Sequence, residues 1–374
     1  MILARRLTAA LLAIAAVLAA AQVTWRVLRP ATVLAAAKDP YPPAPAHPPG
    51  VTGRTTMAPL IVDGRIRVYA AERQLRADAP VDAPSLVTPR WSLRRWPQQL
   101  NGVVAIGTTV VSRWSDGELI AVDGRTGTIT WQAAGPPAGP YAGLRTGAST
   151  VWAPPGLFTA GSRVLATGGG QVVAYAGGVV AWRAAACPHG FTTRAGQYVC
   201  PAGAWDVPSG QPAGSWPVGP FTPLGCGVAR SGCEGFRDGA GRGWLSTTGA
   251  PRRTPALDGP GSTVAAGVPL TVSGPTVSSA TWRWTDPAGG AAQVLGGEQG
   301  RIQLLTAGRQ LVTVDAATGT ATAILLAFGT ETIRWTPGLW QTTATYTAVE
   351  RLADPDPTSV HHYFTVGTVI ITAT

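Results

Sequence analysis

Short runs of alternating apolar and polar residues recur along the chain from about residue 60 onward. The two clearest copies are "GELIAVDGRTGTITW" (residues 117–131) and "RQLVTVDAATGTATAIL" (residues 309–325). Each has an apolar alternating run, Val-Asp, a short turn, Thr-Gly-Thr and a second alternating run. A period of two predicts β-strands, and the Asp and Gly between them predict a hairpin turn. Weaker copies begin at Gly170, Gly203 and Gly241.

The recurrence of this hairpin predicts the fold. One hairpin cannot bury both of its faces, whereas several arranged around an axis can do so without long free edges. The stretch "AVDGRTGTITW" (121–131) resembles the repeat of quinoprotein-dehydrogenase-like β-propellers, known as PQQ-like repeats. The resemblance implies an all-β chain in which residues 60–374 form a single β-propeller of about seven (six to eight) four-stranded blades. The expected blades are 100–133, 150–186, 190–218, 225–257, 261–296, 300–328 and 333–374, with 60–97 completing the ring beside the C-terminal strands.

The repeat assigns structural roles to several residues. Asp at the strand end can accept hydrogen bonds from the turn backbone, Gly supplies a positive φ, and Trp can pack between neighbouring sheets. The repeat-turn residues predicted on this basis are Asp123, Gly127, Trp131, Asp315 and Gly319. The same packing is expected of Trp91, Trp96, Trp282, Trp284 and Trp340, with stacking on sugars or on a protein partner as the alternative.

The N-terminus predicts export. Arg5 and Arg6 precede an uncharged stretch of about 19 residues, "LTAALLAIAAVLAAAQVTW", which is long enough to cross a bilayer as a helix. We therefore expect residues 1–26 to be a signal-anchor transmembrane helix in the cell membrane, with the propeller on the extracytoplasmic side. A cleaved signal peptide, which would make the protein secreted, is the alternative. The Pro-rich residues 27–59 are predicted to be an extended stem.

The four cysteines are interpreted as disulfides. Cys187-Pro-His189 resembles half of a Rieske iron–sulfur motif, but no histidine follows Cys200 at the required spacing. An exported chain with four cysteines is read most simply as having two disulfides. Local pairing gives Cys187–Cys200 and Cys226–Cys233; the two other connectivities stay open.

Composition and motifs exclude several functions. The formal net charge is +10, but the charges are scattered and no basic run is interleaved with aromatic residues, so nucleic acid is not an expected partner. The quinoprotein resemblance would imply a quinone cofactor with calcium, an acidic base and commonly adjacent cysteines. The chain has no adjacent cysteines and no cluster of acids, so we expect neither PQQ nor another cofactor nor a metal.

These expectations combine into one functional hypothesis. Relatives with this repeat include dehydrogenases and scaffolding proteins of envelope assembly, and the chain resembles the second group. We expect a monomeric, non-catalytic, membrane-tethered scaffold that binds an envelope protein. The alternative is an enzyme, either a degenerate quinoprotein dehydrogenase or an extracellular carbohydrate-active hydrolase.

Overall fold

The computed structural model describes most of the chain, and nearly all of the described elements are antiparallel β-strands. The described residues are 13–22, 29–43, 51–55, 57–80, 89–144, 146–185, 189–227, 230–298, 300–307, 310–325, 362–366 and 369–373. Residues 13–22 are helical. Within these ranges, no helix has both the length and the apolar character needed to cross a bilayer.

Seven antiparallel sheets, here called blades 1 to 7, follow one another along the chain. Blade 1 contains β1 (Ala31–Ala35), β3 (Pro59–Val62), β4 (Ile66–Ala71), β5 (Gln74–Asp78) and β6 (Trp91–Trp96). Blade 2 contains β7 (Leu100–Ile106), β8 (Thr109–Trp114), β9 (Leu119–Asp123) and β10 (Ile129–Ala133), and a short helix α1 (Ala148–Trp152) follows it. Blade 3 contains β11 (Leu157–Ala160), β12 (Arg163–Gly168), β13 (Gln171–Ala176) and β14 (Val179–Ala185).

Blades 5 to 7 have the expected four strands, whereas blade 4 has three among the described residues. Blade 4 contains β15 (Phe191–Thr192), β16 (Gln197–Cys200) and β17 (Gly203–Asp206), and blade 5 contains β18 (Thr222–Leu224), β19 (Gly235–Arg237), β20 (Gly243–Leu245) and β21 (Arg252–Arg253). A 3-10 turn at Pro255–Leu257 precedes blade 6, which contains β22 (Ser262–Ala265), β23 (Val268–Ser273), β24 (Thr276–Ser278) and β25 (Arg283–Thr285). Blade 7 contains β26 (Ala292–Glu298), β27 (Arg301–Thr306), β28 (Gln310–Asp315) and β29 (Ala321–Leu325).

An eighth, closing sheet joins the two ends of the chain. It has the order β2 (Val51–Thr55), β31 (Val369–Ala373), β30 (His362–Val366). The chain therefore has the β-propeller fold, and β2, from the N-terminal part of the chain, shares a sheet with the last strand. The N-terminal partner in this sheet is 51–55, whereas residues 60–97, expected to complete the ring, form most of blade 1. Of the expected last blade at 333–374, only β30 and β31 lie within the described residues.

In blades 2, 3, 4, 6 and 7 the first strand lies at one edge of its sheet, and contacts between these strands place them on the inner side of the ring. β7 contacts β11, β11 contacts β15, and β22 contacts β26. Because neighbouring strands are antiparallel, the ring has two faces. We call the face where each blade begins the upper face, and the face that carries the turn between third and fourth strands the lower face.

The hairpin turns of the repeat lie on the lower face. The Asp123 carboxylate accepts a hydrogen bond from the Arg125 backbone at 2.8 Å. The Asp315 carboxylate accepts one from the Thr318 backbone, also at 2.8 Å. Gly127 and Gly319 have φ values of +72° and +75°, which glycine adopts without steric cost. These carboxylates are therefore part of the turns.

The tryptophans join one blade to the next. Trp91 of blade 1 donates from Nε1 to the Gly124 carbonyl of blade 2 at 2.9 Å, and its ring covers Gly127. Trp282 of blade 6 makes the same two contacts, with Ala316 and Gly319 of blade 7. Trp131 of blade 2 covers Gly178 of blade 3, and Trp182 of blade 3 covers Gly210 of blade 4. Each Trp thus packs on a glycine of the following blade.

Burial distinguishes Trp91 and Trp282 from Trp96. Trp91 is fully buried and Trp282 is 9% exposed, so neither is available to a sugar or a partner. Trp96 is 37% exposed and has the Arg73 guanidinium 4.4 Å above its ring. Trp340 lies outside the described residues.

Part of the predicted stem is bound to the propeller. β1 adds a fifth strand to the outer edge of blade 1 by pairing with β6, from Ala31 opposite Trp96 to Ala35 opposite Ser92. The Arg90 guanidinium then donates to the carbonyl of Pro40 at 2.7 Å, and the Tyr41 ring lies within 6 Å of three guanidinium groups. We call residues 31–41 the strap. The strap lies against blades 1 and 2, although the sequence predicted an extended stem here.

Candidate functional site

A cavity of about 280 Å³ opens on the upper face, next to the innermost strands of blades 3 and 4. It lies where the chain enters these blades, because the segment before β11, the end of β12 and the segment before β15 form its walls. The lining residues are Ala153, Pro154, Pro155, Gly156, Phe158, Thr167, His189, Gly190, Tyr198 and Arg230.

A disulfide-closed loop brings Arg230 to this cavity. Cys226 and Cys233 of blade 5 are bonded, with an S–S distance of 2.05 Å, as predicted. The loop between them reaches back across blade 4: the Ser231 hydroxyl accepts a hydrogen bond from the Thr159 backbone at 3.0 Å. The Cys233 backbone donates to the Thr192 carbonyl at 2.8 Å. The loop thus covers the free inner edges of β11 and β15, which would otherwise leave polar backbone groups unpaired.

A buried arginine supports the opposite wall. Arg113 is 1% exposed, and its guanidinium donates to five backbone carbonyls, those of Pro136, Pro137, Pro155, Gly156 and Thr167, at 2.7–3.3 Å. These carbonyls belong to the connection after blade 2 and to blade 3, so Arg113 fixes the geometry between the two. Burial lowers the pKa of Arg113 to about 10, so it stays protonated at neutral pH. Its hydrogen-bond acceptors are neutral, and none is a carboxylate.

The floor of the cavity is aromatic. The Phe158 and Tyr198 rings meet edge to face with centroids 5.9 Å apart. Gly190 has no room for a side chain, because a Cβ there would lie 2.4 Å from the Tyr198 hydroxyl oxygen. The floor is thus packed from blade 3 on one side and blade 4 on the other.

Both polar residues at the mouth have unusual backbone conformations. His189 and Arg230 have φ values of +61° and +52°, in the left-handed region that favours glycine. A non-glycine residue there is strained, and such strain is concentrated at functional sites. These two side chains give the cavity its polar character.

The chemistry of the lining favours an anion over a metal ion. Its ionisable side chains are the guanidinium of Arg230, the imidazole of His189 and the phenol of Tyr198, and no described lining residue is Asp or Glu. Among the described residues generally, no group of three or more His, Cys, Asp or Glu side chains could hold a metal ion. The carboxylates of Asp123 and Asp315 lie in turns on the lower face, away from the cavity.

The site contains little of what the sequence singled out. Of the four predicted disulfide cysteines, Cys226 and Cys233 are paired and close the Arg230 loop. Cys200 is also disulfide-bonded, but Cys187 lies outside the described residues, so its pairing with Cys200 stays a prediction. No motif marked Arg113 or Arg230, because their roles depend on contacts between blades. The one available signal was the position of Arg230 inside a short Cys-to-Cys loop.

Comparisons with known proteins agree with this fold. The model of a PQQ-type family described as "Outer membrane protein assembly factor BamB" matches residues 88–197, from the end of blade 1 into blade 4. No curated protein sequence matches the chain. The matched residues 88–197 include the first clear copy of the repeat, residues 117–131.

Several solved structures are similar at low identity. BamB from Moraxella catarrhalis is 11% identical, with 87% of this chain and 99% of that chain covered and a TM-score of 0.42. The C-terminal WD40 domain of Sif2 is 10% identical, with 87% and 99% covered and a TM-score of 0.46. The dihydro-heme d1 dehydrogenase NirN is 14% identical, with 73% and 67% covered and a TM-score of 0.40. With every TM-score below 0.5, these similarities indicate nothing about activity. From its own sheets and from the family match, the chain is a β-propeller protein with PQQ-like repeats.

Proposed function

We propose that this chain is a non-catalytic scaffold that binds a protein partner of the cell envelope through the upper face of its propeller. The match of residues 88–197 to the model of an envelope assembly factor carries the proposal. The match covers blades 2 and 3 and the start of blade 4, and therefore includes most of the segments that line the cavity.

The structural roles of three charged side chains support a scaffold over an enzyme. The repeat carboxylates of Asp123 and Asp315 accept turn hydrogen bonds, and the Arg113 guanidinium is held by backbone carbonyls. Acid–base catalysis needs a titratable group within reach of a bound substrate. These groups instead hold turns and blades in place, which suits a rigid disc that presents loops.

The tether is part of the same proposal. The uncharged stretch after Arg5 and Arg6 would anchor the chain in the cell membrane, with the propeller on the extracytoplasmic side. From residue 25, where this stretch ends, to the start of the strap at residue 31, six residue steps reach at most about 20 Å. A retained anchor would therefore keep blade 1 within that distance of the membrane.

Crosslinking in intact cells tests the scaffold. The full chain is crosslinked, purified under denaturing conditions and its adducts identified by mass spectrometry. A scaffold predicts the same envelope protein in every replicate, and recovery of no envelope protein contradicts it.

Titration of the purified full chain with pyrroloquinoline quinone and Ca²⁺ tests the enzyme alternative: a stoichiometric absorbance change would favour a quinoprotein.

Sequencing of the N-terminus of the protein recovered from membranes tests the tether. Retention of Arg5 and Arg6 supports an anchor, and a new N-terminus after the apolar stretch supports a cleaved signal.

A further inference from the structure

The upper-face cavity combines positive charge with an apolar floor. Arg230 stands at the mouth, and its guanidinium makes no hydrogen bond or ion pair with the described residues. His189 adds a second nitrogen-bearing side chain. Since no described lining residue is acidic, nothing in the lining neutralises these groups.

A second guanidinium lies behind the wall of the cavity. The Arg113 guanidinium donates to the Gly156 carbonyl at 3.1 Å and to the Thr167 carbonyl at 2.7 Å, and both residues line the cavity. Its acceptors are neutral dipoles, so its full positive charge contributes to the potential inside the cavity. Charges act over longer distances in a poorly solvated interior than in water. An anionic group would therefore be attracted to this cavity.

The aromatic floor favours an apolar group beside the anion. Phe158 and Tyr198, both buried, line the cavity with aromatic rings, and Pro154 and Pro155 add apolar groups beside them. A volume of about 280 Å³ is at the lower limit of ligand pockets, which suits a group of one or two residues. A ligand that fits carries a negative charge next to one apolar side chain.

The backbone at the mouth supports a binding role. Glycine would hold φ values of +61° and +52° without strain, yet these positions carry His189 and Arg230. Arg230 is also fixed by its loop, since the disulfide and the Ser231 hydrogen bond to Thr159 hold both sides of it. A restrained backbone loses less freedom when the residue it carries binds an anion.

We propose that this cavity binds the C-terminal carboxylate of a partner protein, with Arg230 pairing the carboxylate and the Phe158–Tyr198 floor receiving the terminal side chain. The proposal rests on the proposed scaffold function and names the chemistry of its partner. A chain terminus is the part of a protein that places a carboxylate beside an apolar side chain on a flexible, insertable segment.

Peptide binding to the purified full chain tests the proposal. The probes are two immobilised libraries of random octapeptides, one with free C-terminal carboxylates and one with C-terminal amides. We expect retention of free-acid peptides with an apolar last residue, and at least about tenfold weaker binding of their amides, because loss of a charge-assisted pair costs roughly that much. Equal binding of acids and amides, or no retained peptide, overturns the proposal.

Substitutions at the mouth locate the effect. Arg230→Gln removes the charge and should weaken binding at least about tenfold. Arg230→Gly should do the same while keeping the fold, because glycine relieves the left-handed conformation. Arg252→Gln, at an exposed position in the same blade, is the matched control and should leave affinity unchanged. Unchanged affinity in Arg230→Gln overturns the proposal.

Two further comparisons separate the possible explanations. Acetate should compete at least about 100-fold less well than the peptide, because it lacks the apolar side chain; equal competition would make this a small-anion site and overturn the peptide assignment. If in-cell crosslinking recovers the same partner with Arg230→Gln as with the unaltered chain, the carboxylate proposal fails while the scaffold stands. If the unaltered chain recovers no envelope protein, the scaffold itself fails.

Discussion

Trp91 and Gly127 belong to neighbouring blades and are so close that a Cβ on the glycine would lie 2.4 Å from the Cβ of the tryptophan. The contact recurs between Trp182 and Gly210 and between Trp282 and Gly319, with closest distances of 2.5 and 2.6 Å. Glycine is needed at these turns both for its positive φ and for the room it leaves. The turn of one blade thus also provides the surface on which the tryptophan of the preceding blade packs.

Gly127→Ala should therefore destabilise the protein more than an ordinary turn substitution. The new methyl group meets the Trp91 side chain and also forces alanine to a φ of +72°, so we expect a loss of about 2–4 kcal/mol in the free energy of unfolding. Gly107→Ala is the matched control, because Gly107 has a φ of +54° but nothing within 4 Å of its would-be Cβ. It should lose about 1 kcal/mol. Equal losses in chemical denaturation would show that the contact between blades contributes nothing.

Docking of the strap can be measured by proteolysis at one bond. Lys38 is the single lysine of the chain and lies within the strap. A lysine-specific endoprotease should cleave the folded protein slowly, since Ala37 donates to the Thr126 carbonyl at 2.8 Å and Arg90 holds the carbonyls of Asp39 and Pro40. Tyr41→Ala and Arg90→Ala should each speed cleavage roughly tenfold, as expected for loss of about 1.4 kcal/mol of docking energy.

Arg252→Ala is the control for this experiment, because Arg252 is exposed in blade 5, away from the strap, and its side chain makes no hydrogen bond with the described residues. Its cleavage rate should match that of the unaltered protein. Rapid cleavage of the unaltered chain at Lys38 would mean that the segment is a free stem after all.

The Cys226–Cys233 disulfide should stabilise the fold measurably. It closes a short loop, for which restriction of the unfolded chain is worth about 2–3 kcal/mol. The paired substitution Cys226→Ala with Cys233→Ala should lower the free energy of unfolding by that amount. Thiol titration of the unreduced, denatured protein should detect no free thiol, and four thiols would contradict the predicted disulfides.

Burial of Glu234 should give stability a specific dependence on pH. Its carboxylate accepts a hydrogen bond from the Gly267 backbone at 2.6 Å and pairs with Arg194 at 3.1 Å, but burial has the larger effect and raises its pKa above 4.5. The folded protein therefore keeps this proton to a higher pH than the unfolded chain. Stability should fall as pH rises from about 4.5 through the raised pKa.

Glu234→Gln isolates this effect because it removes the titrating group and nearly preserves its shape. As pH rises through that window, the free energy of unfolding of the unaltered protein should fall relative to that of Glu234→Gln. A difference that stays constant, or that shifts the other way, would show that the ion pair with Arg194 outweighs burial.

The fold could be predicted from the sequence because its signals are local. Alternation with a period of two, an Asp at the strand end and a Gly at positive φ all act within about 15 residues, and they led to a propeller of PQQ-like repeats. The partner of each Trp could not be predicted, since Trp131 covers Gly178 of the next blade rather than a residue of its own hairpin. The strap is interpreted from sequence as part of a spacer because the prolines of residues 27–59 indicate extension, and its pairing with β6 depends on a distant sheet edge.

The cavity was beyond prediction for the same reason. Arg113 and Arg230 are far apart in sequence, and only the arrangement of blades 2, 3, 4 and 5 places them around one site. Their neighbours in sequence give no motif. The lone clue, the Cys226–Cys233 spacing, indicated a closed loop but not the direction in which it folds.

Photocrosslinking from the two faces of blade 3 tests most directly whether the partner binds the upper face. A photoreactive amino acid is placed either at Gln171, exposed at the upper end of β13, or at Val179, which is 70% exposed at the lower end of β14. After irradiation of intact cells, a scaffold working through its upper face predicts one specific envelope-protein adduct from position 171 and none from position 179. Adducts of equal yield from both positions, or a specific adduct from position 179 alone, would contradict it.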